Sequence, residues 1–225
     1  MFTVEQNAKA ITGGPGLVFT ALIPDMNYYD GRAGCARPLF RDAASVIPNV
    51  TPGLLEELSR RLGCVIGAED LLAYVAAITS HPAYTSRFRE YLEVPGARVP
   101  LTLDRVMWER SVNLGRRVLW LHTYGERFVD PSAGRPKGAP KLPLSERSRC
   151  VEEIPDTIDA MPEVLEYDEG TGSLVVGSGR ISPVPREVRD YAVSGMNVID
   201  KWFGYRKKDP AGKRRLVLDF EVSTS

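Results

Sequence analysis

Histidine is nearly absent from this sequence, with only His81 and His122 in 225 residues. Cysteine is as scarce: Cys35, Cys64 and Cys150 are isolated and odd in number. That excludes a disulfide framework and a cysteine–histidine metal knuckle, and it fits a chain with reduced thiols. No apolar run approaches the length of a membrane span. Met1 to Glu5 carries no basic start, and no long apolar stretch follows it, so the expectation is no secretory leader, no membrane and a cytoplasmic location. Net charge is missing too: 29 Lys and Arg balance 29 Asp and Glu. Without a global field, any hold on a polyanion must come from local clusters of charge.

The familiar catalytic signatures are absent as well. There is no H-E-x-x-H and no G-x-S-x-G. A common metal-dependent nuclease places an acidic ligand two residues before a lysine, but those positions hold Asn7, Ile199, Tyr205, Arg206, Ala211, Arg135 and Ala139. No N-P-P-Y or D-P-P-Y occurs, the motif with which amino-methyltransferases hold a target adenine. Gly13-Gly14-Pro15-Gly16 precedes a strand and lacks a following Lys-Ser/Thr, so it makes a poor phosphate loop. A small hydrolase centred on His122 and Glu126 stays open as one reading, because polar and aromatic groups crowd that stretch.

What is present is an ordinary core: 43% hydrophobic and 26% charged residues. Residues 1–12 are polar and weakly patterned, and Leu17 to Ile23 reads as a buried strand. The stretch after Pro24 is turn-rich, and one of the adjacent Tyr28 and Tyr29 is expected on the surface. Thr51-Pro52 predicts a helix start, with Leu54, Leu55, Leu58 and Leu62 as its stripe and Gly63 as its stop. A second helix is expected from about Glu69 to Thr79 with Leu71, Leu72, Val75 and Ile78 inward, and a third from Pro82 to Leu92. A fourth, capped by Thr102 and running to about Leu121, has Val106, Met107, Arg110, Leu114 and Val118 on related turns. Asp130 to Arg149 reads as a long exposed loop carrying Arg135, Lys137 and Lys141. Val164–Asp168 and Ser173–Val176 around Gly170-Thr171-Gly172 predict a β-hairpin, and a short helix follows Val184-Pro185.

Near the C-terminus, Val198, Ile199, Trp202 and Phe203 share a helical face. Tyr205-Arg206-Lys207-Lys208 follow, then a turn at Asp209 to Gly212, then Lys213, Arg214 and Arg215. On spacing alone a solvated basic helix end is the simpler reading; a polyanion-binding end is the functional one. Trp108, Trp120 and Trp202 are expected in the core. Tyr124 is expected to pack as well, with a base or sugar contact as its alternative role.

Several stretches taken together resemble a known family. They are Phe19–Asp25 with Tyr28-Tyr29, Ala73–Ala77 through Ser80–Tyr84 to Arg87-Phe88, and Leu114–Phe128. Tyr167-Asp168 with Thr171-Gly172, and Val193–Met196 through Trp202–Lys208, complete them. They look like the C-terminal, target-recognising region of Type ISP restriction–modification enzymes, with a looser likeness to adenine-specific methyltransferases that carry built-in specificity domains. The resemblance implies an α+β fold: a small mixed or antiparallel sheet with a hairpin, packed on a helical unit of about four to six helices. It implies one target-recognition domain over 1–225, with a helical subregion at about 51–122 and the hairpin and basic-ended helix at about 160–215.

The implied role is sequence-specific reading of duplex DNA in phage defence, without catalytic residues or a metal in this chain. Methyltransferase and helicase-like regions would lie elsewhere in the same polypeptide or in a split partner. The full enzyme would use S-adenosylmethionine to methylate adenine, and ATP with magnesium for translocation and cleavage. Family members continue past the basic stretch through a Trp- and Leu-rich helix, so this chain is expected to be a dissected domain, a split subunit or a truncated remnant. Phosphate contacts are expected from Arg206, Lys207, Lys208, Lys213, Arg214 and Arg215. Base or sugar contacts are expected from Arg135, Lys137, Lys141, Asn27, Tyr28 and Tyr205. A non-catalytic coupling module, whose basic end meets an acidic partner, is the alternative.

Overall fold

A computed structural model of the chain describes residues 1–25, 34–155, 160 and 162–208. Asn27, Tyr28 and the second basic cluster, Lys213, Arg214 and Arg215, lie outside the described residues. The architecture is α+β, with helices and antiparallel sheets, and the chain divides into two compact units. The first comprises Met1–Pro140 and the short return Val193–Gly195; the second comprises Lys141–Ala192 and the described residues from Met196.

In the first unit, β1 (Phe2–Gln6) is the middle strand of an antiparallel sheet, between β2 (Leu17–Thr20) and β3 (Gly34–Pro38). Its polar C-terminal end, Glu5 and Gln6, hid it from the sequence reading. Glu5 is buried because it has partners: Arg37 Nη2 donates to Glu5 Oε1 at 2.9 Å and Ala97 N donates to Oε2 at 3.2 Å. The strand at β2 ends earlier than its apolar run suggests, and Leu22 and Ile23 are exposed.

Four helices follow: α1 (Leu54–Leu62), α2 (Ala68–Ser80), α3 (Ala83–Arg87) and α4 (Arg105–His122). Gly63 ends α1 in the left-handed conformation as expected, but the start is at Gly53, two residues after Thr51. The predicted third helix is split into α3 and a 3₁₀ turn, Arg89–Leu92. The fourth begins at Asp104, whose carboxylate accepts from Met107 N at 3.0 Å. Leu17 and Phe19 of β2 pack with Leu58, Leu72, Trp108 and Leu119, and each such side chain taken from water is worth about 2 kcal/mol.

The contact between α2 and α4 departs from the predicted stripes. Both helices meet through small residues: Ala73 and Ala76 are fully buried, and a Cβ on Gly115 would lie 1.6 Å from the Ala73 carbonyl oxygen. Tyr74 stacks on Trp108 with ring centroids 4.4 Å apart. The inward face of α4 is therefore Trp108, Val112, Gly115, Leu119 and Trp120. Val106, Met107 and Leu114, which the sequence places on related turns, face solvent.

The second unit holds an antiparallel sheet in the order β4 (Arg149–Glu152), β7 (Gly179–Ser182), β6 (Ser173–Val176), β5 (Leu165–Asp168). The β5–β6 hairpin is the predicted one, and Asp168 Oδ1 closes its turn by accepting from Gly170 N at 3.0 Å. A single turn, α5 (Arg186–Arg189), and α6 (Val198–Gly204) complete the unit. Phe203 packs with Leu174, Val176, Ile181 and Val184, while Ile199 and Trp202 cover that cluster as partly buried residues.

Candidate nucleic-acid interface

The first cluster is built on α6. Asn197 caps it by accepting from Asp200 N at 2.9 Å. Phe203 anchors one face in the core, so the residues one turn on are carried past the helix end into solvent. Arg206 lies over the Trp202 ring at 4.9 Å and donates to the Trp202 carbonyl at 3.1 Å. Lys201 lies over Tyr205 at 5.1 Å. These are two parallel i, i+4 cation–π pairs, which hold long side chains in fixed directions. Lys208 approaches Glu163 at 3.7 Å, and Lys207 is exposed. The i, i+4 spacing of these pairs is visible in the sequence; the Glu163 partner comes from far along the chain and is not.

The second cluster, in the first unit, is the loop after α4. Its predicted basic residues fall into different environments. Arg135 is buried: its Nε donates to Phe128 O at 2.9 Å and its Nη2 reaches Asp130 Oδ2 at 3.1 Å. A two-way backbone bridge between Asp130 and Arg135 closes the same turn. Lys137 sits between two anchors. Trp120 Nε1 donates to Pro136 O at 2.8 Å, and Gly138 N donates to Gly125 O at 3.2 Å. Gly125 has φ 71°, and a Cβ there would lie 1.8 Å from Gly138 O, so only glycine admits this approach. The result is an ordered loop that presents an exposed Lys137, rather than a structureless one. Tyr124 is also exposed at 73%, which corrects the expected core packing; its φ of 51° turns it outward. In the second unit Lys141 and Arg149 are exposed, and Arg147 donates to Leu142 O at 2.7 Å.

The hydrolase reading loses its base. His122 Nδ1 accepts from Phe19 N at 3.3 Å, which places the ring proton on Nε2 and leaves no free lone pair. Burial also lowers its pKa from the ordinary histidine value. Glu126 lines a cleft of about 790 Å³ with Glu69, Asp70, Arg116 and Arg127, in which Arg116 is already paired with Asp70 at 2.5 Å. Among the described residues no cluster of His, Cys, Asp or Glu could hold a metal ion, and no helix is long and apolar enough to cross a membrane.

The family model of the Type ISP C-terminal specificity domain matches residues 1–224. The chain belongs to that family. Among solved structures, this Type ISP specificity domain is similar in fold to part of a DrdV–DNA complex studied by cryo-electron microscopy, with a TM-score of 0.62 and 18% identity. It is similar to part of the ATP-dependent Type ISP restriction–modification enzyme LlaBIII bound to DNA, with a TM-score of 0.59 and 15% identity. It also resembles part of a nuclease-deletion mutant of the Type ISP enzyme LlaGI in complex with a DNA substrate mimic, with a TM-score of 0.54 and 16% identity. These likenesses cover 92%, 92% and 89% of this chain but 20%, 13% and 16% of those chains. The specificity domain thus spans a fifth or less of the proteins it resembles. No curated protein matches it.

Proposed function

We propose that this chain reads the target sequence in duplex DNA for a Type ISP-like restriction–modification enzyme. The observation that carries this is the specificity-domain match over residues 1–224; that all three similar structures are DNA complexes agrees with it. The adenine methyltransferase with its S-adenosylmethionine, and the motor and nuclease with ATP and magnesium, belong in this reading to regions outside the chain, in the cytoplasm. Arg206, Lys207 and Lys208 set register on phosphates, joined by Lys213, Arg214 and Arg215. Tyr205 adds a sugar or base contact beside them. Lys137 and Lys141 reach a groove, with Asn27 and Tyr28 as further base-edge or sugar contacts. Arg135 serves this loop from inside, as the residue that fixes its shape.

Selection of the purified chain on random duplex DNA at two salt concentrations tests the reading. The expected result is an enriched, asymmetric motif with binding that falls steeply with salt. Lys207→Ala should reduce the log–log salt slope by about 0.9 and leave the motif unchanged, whereas Lys137→Ala should relax the motif. Salt-independent binding, or binding with no enriched motif, would count against target recognition.

A further inference from the structure

In a chain whose charges cancel, α4 carries four arginines and one glutamate. Two of the arginines are engaged: Arg105 pairs with Glu109 at 2.8 Å and Arg116 with Asp70 at 2.5 Å. The other two, Arg110 and Arg117, are exposed on the side away from α2, with Asn113 exposed between them. Among the described residues no hydrogen bond or ion pair engages these three side chains. At about 100° per residue they share one face with Met107, Leu114 and Leu121, all within about 60° of Arg110. The three apolar residues are 57%, 54% and 45% exposed. No carboxylate of α4 lies on that face: Glu109, its only acid, sits about 100° from Arg110 and is tied to Arg105. A solvated helix face ordinarily mixes charges of both signs; this one keeps a single sign over about four turns.

We propose that α4 lies in the major groove of duplex DNA and reads base edges through Arg110, Asn113 and Arg117. This rests on the function proposed above and names the element that does the reading. Size allows it: a helix with its side chains is about 10–12 Å across, and the major groove is about 12 Å wide. The chemistry matches side chain by side chain. Arginine pairs with guanine O6 and N7, asparagine with adenine N6 and N7, and the thymine methyl gives Leu114 and Leu121 an apolar neighbour. A groove floor offers acceptors and methyl groups side by side, which accounts for arginines and leucines in one stripe. Arg110 and Arg117 are separated by about 10.5 Å along the helix axis, or about three base-pair steps of about 3.4 Å. The expected signature is therefore two G·C pairs about three steps apart with an adenine between them. The inner face fixes the backbone from which these side chains start. A Cβ on Gly115 would lie 1.6 Å from the Ala73 carbonyl oxygen, and Tyr74 stacks on Trp108. Past the helix end Tyr124 is exposed, and the Gly138 N–Gly125 O bond keeps Lys137 close, so Lys137 continues the line of contacts from the end of α4.

The test selects the motif of the full chain from random duplex DNA and repeats the selection with Arg110→Ala, Asn113→Ala and Arg117→Ala. All three positions are exposed and helical, so each variant should keep its circular dichroism. Each arginine variant should lose discrimination at one G·C pair by about tenfold or more, and Asn113→Ala at the adenine between them. The log–log salt slope should stay unchanged, because base edges release no counterions. A second measurement identifies the groove. Replacing each of those guanines by 7-deazaguanine, which lacks the N7 acceptor, should weaken the unaltered chain about fivefold or more and the matching alanine variant less than about twofold. A motif unchanged in all three variants overturns the reading helix and leaves target recognition standing. So does a slope lowered by about 0.9 with the motif intact, which would put the residue on a phosphate. Equal weakening by 7-deazaguanine in the chain and its variants assigns those guanines to another element and overturns the proposal. Absence of any enriched motif with the unaltered chain overturns both this proposal and the target recognition on which it rests.

Discussion

At the level of single residues, charge and location part company. Arg135 and Lys137 are indistinguishable as basic loop positions in the sequence, yet one guanidinium is turned inward to bind the loop's own carbonyl and carboxylate while the neighbouring ammonium is in water. Arg135→Ala should therefore cost about 2 kcal/mol in urea unfolding, because a charged hydrogen-bond set is lost, while Lys137→Ala should change stability by less than about 0.5 kcal/mol. Equal effects would mean that the loop is not held by Arg135. His122 gives a second prediction. Burial lowers its pKa from 6.5 in the folded chain, so the unfolded state binds the proton more tightly. Its contribution to stability is complete above about pH 6.5 and is lost as pH falls through the folded-state value. The urea midpoint should drop between pH 7 and pH 5, and His122→Gln, which keeps an acceptor near Phe19 N, should drop less. No sequence pattern marks this histidine as an acceptor, because its donor is 103 residues away.

Among the elements, the hairpin, the helices and strand β2 were legible, and the other two strands of the first unit's sheet were not. Gly170-Thr171-Gly172 between apolar runs predicts its turn directly, and α1 and α2 announce themselves by periodicity. The periodicity of α4 is real but double. Spacing gives a helix and two apolar stripes, and nothing in the sequence says which stripe meets α2. The structure answers with Gly115: the face that carries the smallest residue is the one that can approach the Ala73 carbonyl. Gly115→Ala should consequently cost about 3 kcal/mol or more through overpacking, despite the better helix propensity of alanine, and a melting curve that rises instead would refute the close crossing. Strand β1 was missed because its buried Glu5 and Gln6 break the alternation that marks strands. In the second unit, the Thr171 hydroxyl and the Arg180 guanidinium hold the Asp168 carboxyl down at about 2. A carboxylate whose folded value lies below its unfolded value stabilises fully above about pH 4 and loses that contribution as pH falls toward 2. Asp168→Asn should thus flatten the acid limb of the stability profile.

For the whole molecule, the zero net charge was the strongest argument in the sequence against nucleic acid, and local placement answers it. Basic residues gather beyond α6 and along 137–149, while acids such as Glu57, Asp70 and Asp168 are engaged with arginines of their own. The division at Pro140 and Lys141 was not legible, since prolines lie on both sides of it. It falls in exposed backbone, so limited trypsin should cut first after Lys141 or Arg147, and mass spectrometry of the earliest fragments would reveal it. DNA containing the selected motif should slow that cut. First cuts within α2 or α4 would contradict the division.

The return of Val193–Gly195 to the first unit bears on how a recognition domain could be exchanged between genes. Ser194 N donates to Pro15 O at 3.1 Å and Gly195 N donates to Gly13 O at 2.7 Å, so this clasp is made by main-chain atoms on both sides. A crossover after position 140 would carry the whole second unit together with its half of the clasp. The recipient need offer only two carbonyls in a glycine-rich turn, and the incoming segment must keep glycine at 195, where a Cβ would lie 2.0 Å from the Thr12 hydroxyl. Such a joint tolerates divergence on either side of it, which lets residues 141 onward be inherited as one block.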